Sequence, residues 1–193
     1  MSRPNLRDLS WHREINGITF LISTKPSNVD LDFVNAAFES DDVYWAAGSI
    51  PRDDLQTMLD QSLTLGLYEV CPPAPPPATV DEPSSPRTPS PTIAGPPKDQ
   101  LKQVGMARII SDQVTVAYLT DVYILPECRN LGLGKWLINC CNEAIETLPH
   151  LRRALLLTSS TVGKRFYSGF GFWDIQEESE KVVLMIRRRL NSH

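Results

Sequence analysis

The stretch Arg129-Asn130-Leu131-Gly132-Leu133-Gly134-Lys135 limits what this chain can fold into more than any other. A strand-like run, Val114 to Leu125, leads into it, and an amphipathic helix, Lys135 to Leu148, leaves it. Strand, glycine-containing turn and helix start together make a cradle of main-chain N–H groups. The first N–H groups of a helix have no carbonyl partner within it, and the helix dipole favours an anion there. Gly132 and Gly134 let the backbone approach a phosphate where a Cβ would obstruct. Arg129 and Lys135 add positive charge. Two familiar phosphate loops do not fit. A Walker loop needs Ser or Thr where Trp136 stands, and a dinucleotide fingerprint needs Gly or Ala where Leu137 stands.

At 193 residues the chain suits one domain with a sizeable core. Its 41% hydrophobic and 22% charged residues are globular values. Neither a membrane-length apolar run nor a signal-like N-terminus is present, so the expectation is a cytoplasmic protein without a membrane, the nucleus remaining an alternative. Cys71, Cys128, Cys140 and Cys141 fit no disulfide framework, and with His12, His150 and His193 they form no metal pattern. Reduced, mostly buried thiols and no metal are expected. Net charge is −4, with the acidic excess in the first half and a slightly basic second half. That asymmetry suits an anionic cofactor and a cationic amine, and no nucleic-acid footprint is evident.

Along the chain, residues 1–17 are polar, with Trp11 as the main anchor, and Ile18 to Ser23 reads as a first strand. Asp30 to Phe38 has helical spacing, and Ser49-Ile50-Pro51-Arg52-Asp53-Asp54 reads as a capped helix start. Tyr44-Trp45 lies between these helices. Leu63 to Val70 and Val104 to Ser111 read as further strands. Residues 71–98, joining them, hold 11 of the 16 prolines and almost no large apolar side chains, which predicts a disordered or polyproline-like insertion. Beyond the Lys135 helix, Arg153 to Thr158 reads as a buried strand parallel to the Val114 run. A short helix ending at Gly169 follows, then a closing hairpin from Trp173 to Ile175 and Val182 to Ile186.

The pattern R/Q-x-x-G-x-G/A after a strand ending in Pro126-Glu127 resembles the acyl-CoA pyrophosphate loop of the GNAT superfamily of N-acetyltransferases. Phe166-Tyr167 followed by Gly171-Phe172 resembles the helix that family places after its splayed strands. The resemblance covers most of residues 18–190 and implies a single domain over 1–193, the 71–98 segment being an addition. It implies an α/β (α+β) fold: a mixed, mostly antiparallel twisted sheet, splayed between two central parallel strands and flanked by helices. Val104 to Arg108, Tyr118 to Val122 and Leu155 to Thr158 are similar to small bacterial and fungal members with unassigned substrates.

That resemblance implies acetyl-CoA as cosubstrate, its pantetheine arm along Val122, Tyr123 and Ile124. The pyrophosphate would lie on Arg129, Asn130, Leu131, Gly132, Leu133, Gly134 and Lys135, with Ser159 a further contact. Asn130 stands where Gly is frequent, and Asn tolerates left-handed geometry. An N–H of the Val122 to Ile124 region would face the thioester oxygen, and Tyr167 matches the tyrosine that protonates the departing sulfur. The base stays open between Asp121, a water relay and an amine that arrives neutral; Tyr118 stands where other members carry an acid. A strand bulge would swap the faces of Tyr118, Thr120 and Val122 against Asp121 and Tyr123. The expected reaction is acetyl transfer to a small primary amine by a monomer or homodimer. A protein lysine or N-terminal acetyltransferase and a non-catalytic acyl-CoA-binding module are the alternatives.

Overall fold

A computed structural model of the chain describes residues 5–43, 45–46, 48–72, 96–158, 161–178 and 185. Tyr44, Ser159, most of the 71–98 segment and, apart from Met185, the expected Val182 to Ile186 strand lie outside them. Among the described residues six strands form one mixed sheet in chain order. They are β1 (Ser10–Ile15), β2 (Ile18–Ser23), β3 (Leu63–Val70), β4 (Leu101–Ser111), β5 (Val116–Ile124) and β6 (Arg153–Leu156). All neighbours are antiparallel except β5 and β6, which are parallel. The described residues also form five α-helices: α1 (Leu31–Glu39), α2 (Arg52–Asp60), α3 (Leu133–Glu146), α4 (Thr161–Ser168) and α5 (Ile175–Glu178). Among the described residues no helix is long and apolar enough to cross a membrane.

Each sheet face carries its own core. On one side α3 buries Leu133, Trp136, Leu137, Ile138, Cys140, Cys141, Ala144 and Ile145. They meet Leu65, Leu67, Val104, Ala107, Ile109, Ala117 and Leu119 from β3, β4 and β5. On the other side α1 and α2 pack Val34, Phe38, Leu55 and Leu59 around Met106 and Tyr123. The Asp30 carboxylate caps α1 by accepting from the N–H groups of Asp32 and Phe33, and the Asp30 N–H donates to Gln103 Oε1 at 2.8 Å. Such a cap contributes about 1 kcal/mol and here also pins the helix start to β4. The cysteines are free, and Cys128, Cys140 and Cys141 are buried, as expected.

The structure corrects several expectations. Residues 10–15 form β1, so Ile18 to Ser23 is the second strand. The turn at Asn16 (φ 52°) and Gly17 (φ 78°) closes this hairpin, a left-handed pair that suits a two-residue β-turn. The second helix starts at Arg52 with Pro51 at its cap, not Ser49. The chain there is held instead by Asn35, whose amide donates to the Ile50 carbonyl and accepts from the Ile50 N–H. Trp173 to Ile175 is not a strand: α5 begins at Ile175, and Asp174 accepts from the Gln176 N–H as its start. Lys164 of α4 bridges Asp174 and Glu177, fixing this turn. The parallel strand is only four residues long, and the apolar run is not buried throughout, since Leu155 and, just past the strand, Leu157 are 37% and 58% exposed. Only its alternate residues Ala154 and Leu156 pack on the α3 core. The central helix begins two residues before Lys135, at Leu133.

Candidate active site

Everything here turns on an irregularity in β5. Along its first half Ala117 and Leu119 face α3, leaving Tyr118 and Thr120 on the side of α1 and α2. Arg108 of β4 then pairs with Thr120 and Met106 with Tyr123, so Ala107 alone opposes both Asp121 and Val122. This is a β-bulge, and Asp121 takes φ 50° within it. The alternation reverses across it. Val122 and Ile124 join the α3 core, while Tyr123 turns to the other side, its ring 6.1 Å from Phe33. The face swap that strand periodicity could not decide is therefore real.

The Asp121 side chain is 6% exposed and fully engaged. Its Oδ2 accepts from Arg108 Nε at 2.7 Å; its Oδ1 accepts from the Thr120 hydroxyl at 3.0 Å and from Trp45 Nε1 at 3.3 Å. Both oxygens of this carboxylate are taken up by donors, a guanidinium among them. The residue that the sequence reading offered as a base thus ties three segments together. Tyr118, half-buried, lies in one cross-strand row with Ile110 and Leu155 on the open face.

Past Leu119 the two parallel strands part. β6 pairs with residues 116–119 and ends at Leu156, while β5 runs on to Ile124. Among the described residues no strand occupies that edge of residues 120–124, whereas β4 occupies the other. An extended chain carrying amides, such as a pantetheine arm, fits an edge of this kind as an added strand would. A one-turn helix at Pro126–Cys128 then delivers the chain to the glycine loop. Asn130 takes φ 64° and Gly132 φ 75°, the left-handed geometry that turns successive N–H groups toward one point. Gly132 caps α3 without any side-chain hydrogen bond, and the first helical bond runs from the Trp136 N–H to the Gly132 carbonyl. The N–H groups of residues 133–135 therefore have no carbonyl within the helix. A Cβ on Gly132 would meet nothing within 4 Å, so the space before the loop is open. Loop and wedge fit a diphosphate followed by an extended arm.

Arg129 does not stand free at the loop edge. Its Nη2 lies 2.6 Å from Asp42, in the connection between α1 and α2, and its Nε donates to the Ile124 carbonyl. The guanidinium also lies 5.9 Å from the centre of the Tyr123 ring. Lys135 and Leu131 border the loop, Lys135 exposed and Leu131 half-buried, while Leu133 is inside the core. Tyr167, on α4, packs edge-on against Phe166 and Phe172. Burial pushes its phenol up to about 12, with a smaller contribution from Cys141. Phe166, which the sequence reading left unassigned, reaches within 3.8 Å of a Cβ placed on Gly134 and so borders the loop itself. Arg108 and Asp42 were missed, and Phe166 was read as part of a pattern without a place at the loop. Arg108 left a trace, as a lone charge between buried Ala107 and Ile109. A cavity of about 110 Å³, lined by Arg7, Ser62, Ile109 and Leu148 among others, lies at the far end of α3, away from the bulge.

The match to known proteins follows this geometry. Residues 98–186, which contain the bulge, loop and α4, match the family model described as an acetyltransferase (GNAT) domain. A Gibberella zeae protein designated an acetyltransferase, FG08082, is 39% identical over 158 residues, 82% of this chain and 81% of the relative. The chain belongs to the GNAT acetyltransferase family. A crystal structure of a GNAT-family protein from Xanthomonas campestris pv. campestris superposes on the GNAT chain with a TM-score of 0.58. It shares 31% identity with it, over 88% of this chain and 93% of that one. A Staphylococcus aureus structure at 15% identity and TM-score 0.54, covering 86% of this chain and 99% of its own, shares the fold. The GNAT chain is accordingly an acyltransferase, of a family that uses acetyl-CoA as cosubstrate.

Proposed function

We propose that this enzyme transfers the acetyl group of acetyl-CoA to the primary amine of a small molecule by direct attack of the neutral amine on the thioester. The observation that carries this reading is the continuity of bulge, strand edge and uncapped helix. Residues 122–124 offer an edge, unpaired among the described residues, that leads directly into the N–H groups of residues 130–135. A diphosphate on those groups places the pantetheine along β5 and the thioester beside the bulge. There a main-chain N–H of residues 122–124 polarises the carbonyl as negative charge develops on its oxygen. Holding both reactants at this point supplies much of the rate by orientation alone. Trp45 reaches the bulge from the face away from α3, an aromatic side chain against which a small acceptor could lie.

The leaving thiolate needs a proton. Tyr167 is held neutral by burial, and a phenol near 12 is a weaker acid than a thiol near 8.5. Tyr167 therefore serves as a hydrogen-bond donor that steadies the departing sulfur, solvent completing the transfer. The amine loses its own proton through water or arrives neutral, since Asp121 is committed to Arg108. A thiol-release screen across small amines, amino acids and peptides tests the reading. Rapid turnover of a small amine supports it; turnover confined to peptides would transfer the activity to protein acceptors. Tyr167→Phe is expected to lower kcat about 10- to 100-fold at nearly constant KM for acetyl-CoA. Full turnover in that variant would remove Tyr167 from the reaction.

A further inference from the structure

We propose that Arg108 and Asp121 are positioning residues for acetyl transfer: their buried ion pair locks the β5 bulge in the conformation that presents the N–H groups of residues 122–124 to the thioester. The inference rests on the acetyl-transfer reading of the same site and assigns roles that reading leaves empty. Among the described residues, four that are not glycine have positive φ: Asn16, Gln113, Asp121 and Asn130. Asn16, Gln113 and Asn130 sit in turns or loops, whereas Asp121 is inside a strand. An aspartate is held there only if its surroundings over-determine it. They do. Three donors from three different segments converge on its two oxygens: Arg108 from β4, Thr120 from β5 itself and Trp45 from the α1–α2 connection.

The burial of the pair points the same way. Arg108 and Asp121 side chains are 11% and 6% exposed, with Arg108 between Thr64 and Thr120 in its cross-strand row. Such a pair is often no more stable than the apolar residues that could replace it, so stability alone gives no reason for it. What the pair does, geometrically, is fix one backbone torsion. That torsion reverses the alternation of β5, sending Val122 and Ile124 to the α3 side and Tyr123 to the other. Relaxing it would rotate the peptide groups that face the thioester. Trp45 carries the same anchor to the acceptor side, so the loop over the bulge and the bulge itself share one carboxylate.

Three substitutions at one position separate this role from that of a base. Asn keeps hydrogen-bonding oxygen and tolerates left-handed geometry; Gly keeps the geometry and loses the side chain; Ala keeps neither. In the full chain, with acetyl-CoA and an amine that wild type turns over, kcat is expected to fall in the order Asp121→Asn, Asp121→Gly, Asp121→Ala. The Asn variant should stay within about tenfold of wild type and keep the acid limb of its kcat/KM profile in place. Equal losses of about a hundredfold or more in all three, with that limb gone, would make Asp121 a general base and overturn the proposal. Arg108→Met with Asp121→Asn leaves no unpaired charge in the sheet and serves where the Ala variant does not fold. It should bind acetyl-CoA by calorimetry as wild type does while losing kcat more than about tenfold. An undiminished kcat in this double variant overturns the proposal. Wild-type chain that binds acetyl-CoA but acetylates no amine or peptide overturns the acetyl-transfer reading and the positioning role with it. Normal wild-type turnover with a failed variant series overturns the positioning role alone.

Discussion

Tyr68, Tyr167, Cys140 and Cys141 are each held in the neutral form by burial, and all four ordinarily ionise in alkali. Burial pushes Tyr167 and Cys140 up to about 12, and raises Tyr68 and Cys141 as well. In the unfolded chain a thiol titrates near 8.5 and a phenol near 10. A folded-state value above the unfolded one contributes stability that is complete below the unfolded value and lost as pH rises through the folded one. The protein is therefore expected to keep a constant denaturation midpoint up to about pH 8 and lose stability progressively between about pH 9 and 12. Equilibrium denaturation across that range checks it, and Cys140→Ala should flatten the slope. A midpoint unchanged at pH 11 would mean these groups are not buried as described. The same burial keeps Tyr167 protonated throughout neutral pH, so no alkaline limb below about pH 10 should be assigned to it.

At the scale of elements, the β5–loop–α3 unit does most of the positioning. Its loop depends on two left-handed residues, and they differ in what they tolerate. Gly132 has φ 75°, so Gly132→Ala introduces backbone strain of about 1–2 kcal/mol although the new methyl meets nothing within 4 Å. The expected result is a matching loss of stability and a raised KM for acetyl-CoA with little change in kcat. Asn130→Gly at φ 64° should be nearly neutral by both measures. Denaturation and steady-state kinetics on the two variants check the contrast, and equal effects would show that the torsions are not what the loop requires. Most of this unit was readable beforehand: the run into the loop, the apolar stripe of α3 and the tolerance of Asn130 for its torsion are local properties. The short, alternately exposed β6 was not. Its apolar run, Ala154 to Leu157, carries no mark of which residues will face a neighbour.

Over the whole molecule, the sheet separates two cores, and small residues at its centre let large side chains close over it. Gly66 is one. A Cβ there would lie 2.0 Å from the hydroxyl of Tyr68, a ring 1% exposed on the same side as Met106 and α1. Gly66→Ala must displace that ring within a filled layer, at a cost of about 1–3 kcal/mol. Thermal denaturation should show a clear fall in Tm; an unchanged Tm would mean that Tyr68 has another place to go. The layer it disturbs carries Trp45 and Asp42, both tied to the β5 region, so a weaker response to acceptor should accompany the lost stability.

What the sequence determined by itself is what a few adjacent residues can encode. The spacing of apolar side chains set most helices and strands, glycines and the tolerance of Asn130 for its torsion set the turn before α3, and the Arg129 to Lys135 and Phe166 to Phe172 patterns pointed to the GNAT family. Tertiary structure decided the pairings between distant positions. Arg108 meets Asp121 across two strands, Trp45 reaches the same carboxylate from another layer, and Asp42 takes the guanidinium of Arg129. The Arg108 contact depends on register, and that register depends on a single extra residue in β5. Side-chain periodicity is blind to such a residue until the neighbouring strand is in place, because only then does one position oppose two.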